Sequence, residues 1–215
     1  MSTFEALGLS GAMQETLRNL GFEQPTPIQE QAIPALLTGN TDLVALAQTG
    51  TGKTAAFGIP LIERVDKQVP ITQALILAPT RELCMQITGD LNKFGAHARI
   101  SVVPVYGGSS IGEQIKSIRR GVQIIVATPG RLMDLMERGV IKYEALRFVV
   151  LDEADEMLNM GFKEDIDHIL ASMPEERNIW LFSATMPGPV RQIAKAYMSE
   201  PVSYTHLTLP TILLV

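Results

Sequence analysis

AQTGTGKT, residues 47–54, follows a short apolar run at residues 43–46 and precedes a helical pattern. This is the setting of a phosphate-binding P-loop, in which a strand leads through a tight loop into a helix. Gly50 and Gly52 allow the loop to curl, so that backbone N–H groups and the helix N-terminus converge on phosphate groups. The stretch therefore predicts an α/β domain that binds a nucleoside triphosphate.

The side chains of the loop also suit a triphosphate. Lys53 supplies a positive charge for the outer phosphates, and the Thr54 hydroxyl is suited to coordinate Mg²⁺. The pattern begins with Ala47 where Gly is usual, so this position needs only a small side chain. A Gly-rich turn without a ligand is the alternative, but chance gives such a pattern in only about 2% of chains of this length. The predicted nucleotide-binding residues of the loop are Thr49, Gly50, Thr51, Gly52, Lys53 and Thr54.

A second group of charged residues is DEAD, residues 152–155, directly after the near-continuous apolar run at 146–151. Such a run predicts a parallel strand buried on both faces, so its acids emerge at the same sheet edge as the P-loop. Asp152 is expected to hold Mg²⁺ directly or through water, and Glu153 to act as general base toward the attacking water. We assign catalysis to Glu153, Asp152 and Lys53. The alternative, that the acids only cap the next helix, is disfavoured by the P-loop upstream.

With these residues in place, the chain resembles the amino-terminal RecA-like domain of DEAD-box ATP-dependent RNA helicases over about residues 4–202. GFEQPTPIQ at 21–29 resembles the Q motif of that family, and Phe4 is the isolated aromatic residue seventeen positions before it. LDEADEMLNMGFKEDI at 151–166 most resembles bacterial members of the cold-shock and ribosome-assembly type. The other motifs follow in order: PTREL at 79–83, Gly107 and Gly108, TPGR at 128–131, and SAT at 183–185.

Gln29 is predicted to recognise adenine. A glutamine side chain donates and accepts hydrogen bonds at once, which matches the N6 and N7 edge of adenine. Spacing alone favours a helix-surface glutamine, because Thr26 and Pro27 suit the start of a helix reaching about residue 37; the resemblance reverses that preference. It also implies that Phe4 packs against the adenine, with an ordinary core position as the alternative. Phe22 is expected in the core.

Two motifs each place an arginine at the start of a helix that follows an apolar strand. The strands are predicted at 74–78 and 122–127, and the arginines are Arg81 and Arg131. Free N–H groups, the helix dipole and a guanidinium together suit a phosphate. The resemblance implies that these sites bind the RNA backbone with little sequence specificity; either motif alone would favour solvated arginines or pairs with Glu82 and Asp134. The RNA-binding residues implied are Pro79, Thr80, Arg81, Gly107, Gly108, Thr128, Gly130 and Arg131.

Ser183 and Thr185 follow an apolar strand predicted at 179–182 and precede Met186 and Pro187. Hydroxyls at such a position often cap helices. The resemblance implies that this segment, together with Asp155, couples the nucleotide site to strand separation.

Length and composition agree with one doubly wound domain. Strands are predicted near residues 42, 74, 101, 122, 147 and 179 with helices between them, and 46% hydrophobic residues suffice for the core of a single unit of 215 residues. We predict a RecA-like P-loop fold with a mostly parallel sheet and helices on both faces. The one cysteine, Cys84, cannot form an internal disulfide, which fits a cytoplasmic location. No apolar run approaches membrane-spanning length, and the start lacks a signal-peptide profile, so no membrane partner is expected.

The net charge of −5 is unusual for an RNA-binding protein, because non-specific affinity comes largely from phosphate neutralisation. RNA contacts are therefore expected to be local and to need basic surface from elsewhere. His97, His168 and His206 lack the spacing of metal ligands and receive no catalytic role.

The C-terminus departs from the family pattern. After about residue 202, the family continues into a linker and a second RecA-like domain that supplies arginine fingers, whereas this chain runs SYTHLTLPTILLV and stops. Residues 202–211 resemble a translated transposase adaptor of sequencing libraries. We therefore predict a RecA-like domain at 1–202, a non-native tail at 203–215 and an absent second domain; a genuine terminal strand is the alternative.

The resemblance implies an RNA-stimulated ATPase that opens short RNA duplexes, with ATP and Mg²⁺ as ligands. Its implied partners are RNA, the second domain and complexes of ribosome assembly or RNA decay. Hydrolysis by this chain alone is expected to be weak or absent. One alternative is a DNA-directed helicase, which would seldom carry the Q motif. The other is a non-catalytic, nucleotide-dependent RNA-binding module.

Overall fold

Seven parallel strands form the centre of the computed structural model, which describes residues 3–199 and 201–206. The strands are β1 (Leu43–Ala47), β2 (Ala74–Leu77), β3 (Val102–Val105), β4 (Ile124–Ala127), β5 (Phe148–Leu151), β6 (Asn178–Ser183) and β7 (Val202–His206). Their order in the sheet is β3-β4-β2-β5-β6-β1-β7, and every neighbouring pair is parallel. The six strands predicted from the sequence are confirmed, and β7 is additional.

Helices connect successive strands and cover both faces of the sheet, as in a doubly wound fold. They are a 3-10 turn (Phe4–Leu7), α1 (Gly11–Asn19), α2 (Pro27–Thr38), α3 (Lys53–Arg64), α4 (Arg81–Phe94), α5 (Ile111–Arg119), α6 (Pro129–Glu137), α7 (Ala154–Asn159), α8 (Lys163–Ala171) and α9 (Gly188–Tyr197). None of the helices within the described residues combines the length and apolar character needed to cross a bilayer.

The sheet is buried on both faces, which explains why its central strands are continuously apolar. In β5, Phe148 and Val150 pack with α1–α4 on one face, whereas Val149 and Leu151 pack with α5–α9 on the other. Fully burying a large apolar side chain stabilises a fold by about 1.5 to 3 kcal/mol. Every position of such a strand therefore favours an apolar residue, and the predicted fold class is confirmed.

The carboxyl-terminal strand lies where the sequence predicted a tail outside the fold. Val202 pairs with Leu43 and His206 with Ala47, and the Val202 N–H donates to the Asp42 carbonyl oxygen over 3.0 Å. Tyr204 is half-buried and packs against the core. Residues 203–206 therefore belong to the sheet, because the open edge of β1 accepts an extended segment rich in strand-forming residues. Residues 207–215 lie outside the described part, and the non-native origin of 203–215 stays a prediction.

Asp42 fixes the strand that leads into the P-loop. Its side chain is buried, and its two carboxylate oxygens accept hydrogen bonds from the N–H groups of Ile179 and Ser199, each over 2.6 Å. One carboxylate thus joins the beginnings of β1 and β6 to the segment that follows α9. Charge-assisted bonds of this kind are among the stronger ones in proteins.

Candidate nucleotide site and nucleic-acid interface

The order of the strands sorts the motifs into two groups along one edge of the sheet. The P-loop follows β1, DEAD follows β5 and SAT begins at the end of β6, and these three strands are neighbours. PTREL follows β2, the two glycines follow β3 and TPGR follows β4, and these three strands are also neighbours. The carboxyl edge of an open α/β sheet is where ligands bind, so the fold provides two adjacent sites.

A cavity of about 620 Å³ lies at the first group. This volume is within the range of about 300 to 1,000 Å³ that small-molecule sites occupy. Thr51 is not among its lining residues; its hydroxyl donates to the Gln48 carbonyl oxygen over 2.7 Å. The residues predicted for nucleotide, metal or catalytic roles that do line the cavity are Gln29, Thr49, Gly50, Gly52, Lys53, Thr54, Asp152 and Glu153.

Gly52 joins the P-loop to the helix that begins at Lys53. Its φ of 89° is left-handed, and a Cβ at this position would collide with the Nε2 atom of Gln29. The left-handed conformation favours glycine, and a side chain here would also displace the Gln29 amide from the hydrogen bond that it donates to the Gly52 carbonyl oxygen. The two distant motifs therefore meet at this residue.

Lys53 and Asp152 place opposite charges inside the protein. They are 5% and 2% exposed, and Lys53 Nζ lies 4.0 Å from Asp152 Oδ1. Burial raises the pKa of Asp152 to about 6, while the charge of Lys53 opposes that rise. Within the described residues, Lys53 Nζ has no hydrogen-bond partner. A buried ammonium without acceptors is unfavourable, so the site is suited to an anionic ligand.

Glu153 has an unusual backbone conformation at the cavity. Its φ of 51° and ψ of 50° are left-handed, and it precedes the first residue of α7. Its N–H donates to Asp152 Oδ1 over 3.0 Å. Non-glycine residues seldom adopt this conformation, and where they do it is frequently at a functional site.

Gln29 connects the start of α2 to the P-loop. Its Oε1 accepts from the Thr26 N–H over 3.0 Å, and its Nε2 donates to the Gly52 carbonyl oxygen over 3.1 Å. The helix start predicted at Thr26 and Pro27 is confirmed, and Gln29 is buried rather than on the helix surface. A glutamine amide has a second hydrogen and a second lone pair, which stay available to a ligand. Its role toward adenine stays a prediction.

Phe4 and Phe22 do not lie where the sequence analysis expected them relative to the cavity. Phe4 is 6% exposed, belongs to the core and is not among the lining residues of the cavity. Phe22, which the sequence analysis assigned to the core, is half-buried and lines it. Phe22 contacts Phe4 and Phe94 edge-to-face, with ring centroids 6.0 and 5.8 Å apart. Phe4 therefore supports the residue that faces the cavity.

Helix α4 forms a wall of the cavity that the sequence analysis missed. Its lining residues recur at helical spacing, so they share one face of the helix. The signal was present in the sequence, but polar residues on a helix give no indication of what they face. The lining residues of this helix are Leu83, Gln86, Asp90, Lys93 and Phe94.

Asp155 links DEAD directly to SAT. Its carboxylate accepts from the N–H and the hydroxyl of Thr185, over 2.9 and 2.7 Å, and its own N–H donates to Ser183 Oγ over 3.2 Å. Burial alone would raise the pKa of Asp155, but hydrogen bonds from Thr185 and Ser183 outweigh it and lower the pKa. The three residues predicted to couple the sites are thus in contact.

The second group of motifs is more exposed than the first. The Arg81 side chain is 58% exposed and pairs with Glu82 over 2.7 Å, and a Cβ at Gly108 would lie 3.8 Å from its Nη1. Thr80 caps α4 by accepting from the Leu83 N–H over 3.2 Å. Gly107, Gly108 and Gly130 are exposed, Thr80 and Thr128 are half-buried, and Pro79 is buried.

Arg131 is held from within the protein. Its Nη1 donates to Gln114 Oε1 over 3.0 Å and to the Ser109 carbonyl oxygen over 3.3 Å. Asp134, the alternative partner, instead pairs with Arg138 over 2.5 Å. Arg131 therefore fastens the loop after β3 to α6, and Arg81 lies beside the same loop. The structure brings the three predicted backbone-binding loops together.

This combination of a buried P-loop lysine, adjoining acids and a neighbouring arginine-bearing edge defines a P-loop nucleoside-triphosphate-binding domain. The sequence pattern of the DEAD/DEAH box helicase family matches residues 26–193. The chain belongs to this family.

Individual proteins with similar sequences or structures support the assignment to this family. The chain is 50% identical to the DEAD-box ATP-dependent RNA helicase CshA of Geobacillus kaustophilus, over 99% of this chain and 46% of that protein. It is also 50% identical to CshA of Bacillus subtilis, over 93% of this chain and 40% of that protein. A crystal structure of a DEAD box protein from Methanococcus jannaschii superposes with a TM-score of 0.91 at 42% identity, covering 94% of this chain and 55% of that one. The chain thus spans less than half the length of these two curated relatives.

Proposed function

We propose that this chain is the nucleotide-binding half of an ATP-dependent RNA helicase of the bacterial cold-shock type. The observation that carries the proposal is the buried Lys53 ammonium, which lies 4.0 Å from Asp152 in a cavity that Gln29 borders and has no hydrogen-bond acceptor among the residues that the structure describes. A nucleoside triphosphate supplies what the cavity lacks, because its phosphate oxygens accept from Lys53 and from the backbone of the P-loop.

Adenine selectivity follows from the remaining hydrogen-bonding capacity of Gln29. Its position is fixed by Thr26 and Gly52, so the free hydrogen and lone pair are already oriented before a ligand binds. A bidentate pair to the N6 and N7 edge of adenine would use both. Phe22 offers an apolar surface for the base on the same side of the cavity.

The residues at the base of the cavity fit Mg²⁺. Thr54 and Asp152 both line it, and Mg²⁺ in nucleotide sites uses one or two protein ligands, waters and phosphate oxygens rather than a protein cage. Bound Mg²⁺ would neutralise phosphate charge.

Hydrolysis requires a water to attack the terminal phosphorus while the bond to ADP breaks. Glu153 lines the cavity and can accept the proton of that water. Charge that develops on the transferred phosphoryl group needs further cations, and we infer that the part of the protein beyond this chain supplies them as arginine fingers. RNA would bind the loops after β2, β3 and β4 through its backbone, with little base specificity. A cytoplasmic location and partners in ribosome assembly or RNA decay are part of the same proposal.

Adding the second domain tests this function. Residues 1–206 alone should hydrolyse ATP barely and without RNA stimulation, and a fusion to the second domain of a CshA relative should raise RNA-dependent turnover about 10³- to 10⁵-fold. Glu153→Gln in the fusion should abolish turnover while ATP binding persists. Single-stranded DNA of the same sequence should stimulate poorly. Robust RNA-stimulated hydrolysis by the isolated chain would contradict this half-site proposal, and equal stimulation by DNA would favour a DNA-directed helicase.

A further inference from the structure

A second cleft, of about 480 Å³, lies at the opposite edge of the sheet from the nucleotide site. It is formed where α3 ends and where β5 and β6 begin, and it is rich in arginine. Its principal lining residues are Asn40, Arg64, Arg147, Phe148, Arg177 and Asn178. No motif of the sequence analysis includes these arginines, and the proposed helicase function does not use them.

Two of the arginines lie against the same ring. Arg64 Cζ is 4.6 Å and Arg147 Cζ 5.4 Å from the centroid of Phe148. Burial lowers the pKa of Arg64, and the charge of Arg147 lowers it further. The two guanidinium groups repel each other, and an anion bound beside them would offset that repulsion.

The third arginine has a donor without an acceptor. Arg177 donates to the carbonyl oxygens of Pro174 and Leu170, but its Nε is buried and has no partner within the described residues. Burial lowers the pKa of Arg177, while the charges of Asp42 and Glu175 act against that change. A buried donor that lacks an acceptor is uncommon in folded proteins and favours a ligand that supplies one.

Arg64 and Arg147 differ in how many of their guanidinium N–H groups have acceptors within the protein. Arg64 is fully engaged at Nη1, which donates to the carbonyl oxygens of Leu36 and Gly39. Among the described residues, Arg147 donates through its Nη2, to the carbonyl oxygen of Arg64 and to the side chain of Gln73. Its Nε and Nη1 thus keep free hydrogens within the described part of the chain. Arg64 holds the cleft together, Arg147 is exposed and keeps free hydrogens, and Arg177 keeps one unpartnered donor that is buried.

Nearby carboxylates offset the charge of this cluster only in part. Glu175 and Glu176 line the cleft but are exposed, and none of the three arginines forms an ion pair within the described residues. Exposed carboxylates are hydrated and screened, so they compete weakly with a bound anion. A chain with a net charge of −5 thus keeps three arginines together at one cleft without a paired acid.

We propose that this cleft binds a small polyphosphate anion, with Arg147 and Arg177 as its principal ligands. Guanidinium groups bind phosphate oxygens through paired hydrogen bonds, and the volume exceeds what a single inorganic ion needs. Helix α3 runs between the two sites from Lys53 to Arg64, a distance of about 18 Å for its 12 residues. The cleft and the nucleotide site can therefore be filled at the same time.

Trp180 provides a local reporter for a direct test. It is the one tryptophan of the chain, and its ring lies 5.2 Å from that of Phe148, on which Arg64 and Arg147 rest. Pyrophosphate added to the chain should produce a saturable change in tryptophan emission. Arg147→Gln and Arg177→Gln should each weaken the apparent affinity about tenfold or more, because each removes a charged donor.

Two controls separate the cleft from other anion sites. Arg119→Gln removes the same charge from an exposed position on α5 and should leave the change intact. Lys53→Ala should also leave it intact, because it disables only the P-loop. The thermal midpoint of each variant shows whether a lost signal reflects lost folding. Arg147→Lys keeps the positive charge and serves as the conservative variant at that position.

Several outcomes would overturn the proposal. A signal lost in Lys53→Ala but kept in Arg147→Gln would assign pyrophosphate to the P-loop. No saturable change in emission or in heat of binding would show that the arginines are structural only. Saturation by a short RNA oligonucleotide at lower concentration than pyrophosphate would assign the cleft to an RNA backbone instead of a small anion.

Discussion

The two groups of motifs at the carboxyl edge differ in how they hold their charges. In the nucleotide group, Lys53 and Asp152 are almost completely buried. In the group predicted to bind RNA, the Arg81 side chain is 58% exposed and Arg131 is bonded to Gln114 and Ser109. The first group keeps charges away from water in the free protein, whereas the second leaves them hydrated or satisfied internally.

This difference indicates what each group contributes to binding. A buried charge interacts strongly with a ligand because little water screens it, and the protein is destabilised until the ligand arrives. An exposed arginine contributes less, and its effect weakens with salt. We therefore expect the buried charges of the nucleotide group to bind nucleotide strongly, and under the proposed function the exposed group to make weaker, salt-sensitive contacts with an RNA backbone.

The largest expected effect concerns Asp152 and pH. Its pKa is raised to about 6 by burial, so the folded chain binds a proton more tightly than the unfolded chain does. Protonated Asp152 therefore contributes roughly 3 kcal/mol to the free energy of unfolding below the unfolded pKa of about 3.9. This contribution is lost as the pH rises through about 6.

Urea unfolding of the nucleotide-free chain and of Asp152→Asn gives the free energy of unfolding of each at a series of pH values. The value for the unmutated chain minus the value for Asp152→Asn should fall between about pH 4 and pH 6 and then level off. Asp155 titrates in both proteins, so most of its own contribution is removed in the difference. A difference that rises with pH would show that Lys53 stabilises the carboxylate more than burial destabilises it.

Lys53→Ala should reduce the affinity for Mg-ADP about 100-fold. The lysine provides the buried charged donor, and hydrogen bonds to charged groups contribute about 1.5 to 3 kcal/mol. Calorimetric titration measures the loss, and Lys116→Ala on the exposed face of α5 is the matched control. If Lys53→Ala weakens binding no more than Lys116→Ala does, the buried charge is not what sets the nucleotide group apart.

Gln29→Ala should bring the affinity for ADP close to that for GDP, a loss of about tenfold in selectivity. A bidentate pair to a base discriminates by about 1 to 3 kcal/mol. Gln29→Glu is the sharper variant, because it keeps an acceptor for the Thr26 N–H but loses the donor to the Gly52 carbonyl oxygen. Equal binding of ADP and GDP by the unmutated chain would remove Gln29 from this role.

Ending the chain at Val202 should cost about 1 to 2 kcal/mol of stability, because β1 loses its paired edge strand and the core loses Tyr204. A non-native tail at 203–215, as predicted from the sequence, would be dispensable for stability, and the pairing of 203–206 with β1 reverses that expectation. A chain that ends after His206 is the control. Since β1 carries the P-loop and the RNA-binding loops lie at the other end of the sheet, nucleotide affinity should fall and RNA affinity should not. An unchanged thermal midpoint would show that β7 adds nothing.

The smallest effects are expected for the arginines of the exposed group. Arg81→Gln and Arg131→Gln should each reduce the slope of log affinity for RNA against log salt by about 1. Only Arg131→Gln should also lower stability, by about 1 kcal/mol, because Arg131 alone has neutral partners inside the protein. An equal loss of stability in both variants would mean that Arg81 is also structural.

Local residue patterns determined those parts of the structure whose conformation depends on neighbouring residues in the chain. The P-loop glycines, the apolar strands at 74–77 and 148–151, and the start of α2 at Thr26 and Pro27 each depend on neighbours in the chain. The predicted strands and the α/β class were therefore confirmed. The grouping of Lys53 with Asp152 also followed, because parallel strands deliver their following residues to one edge.

Tertiary structure alone decided which side chains meet across the sheet. It placed Phe22 rather than Phe4 at the cavity, turned one face of α4 toward it and joined Gln29 to Gly52. It also added β7 beside β1 and collected Arg64, Arg147 and Arg177 at the other edge. These contacts join segments far apart in the chain, and the order of the strands that creates them is set by packing of the whole core. A local pattern specifies the backbone it lies on, but not the neighbour that a side chain finds.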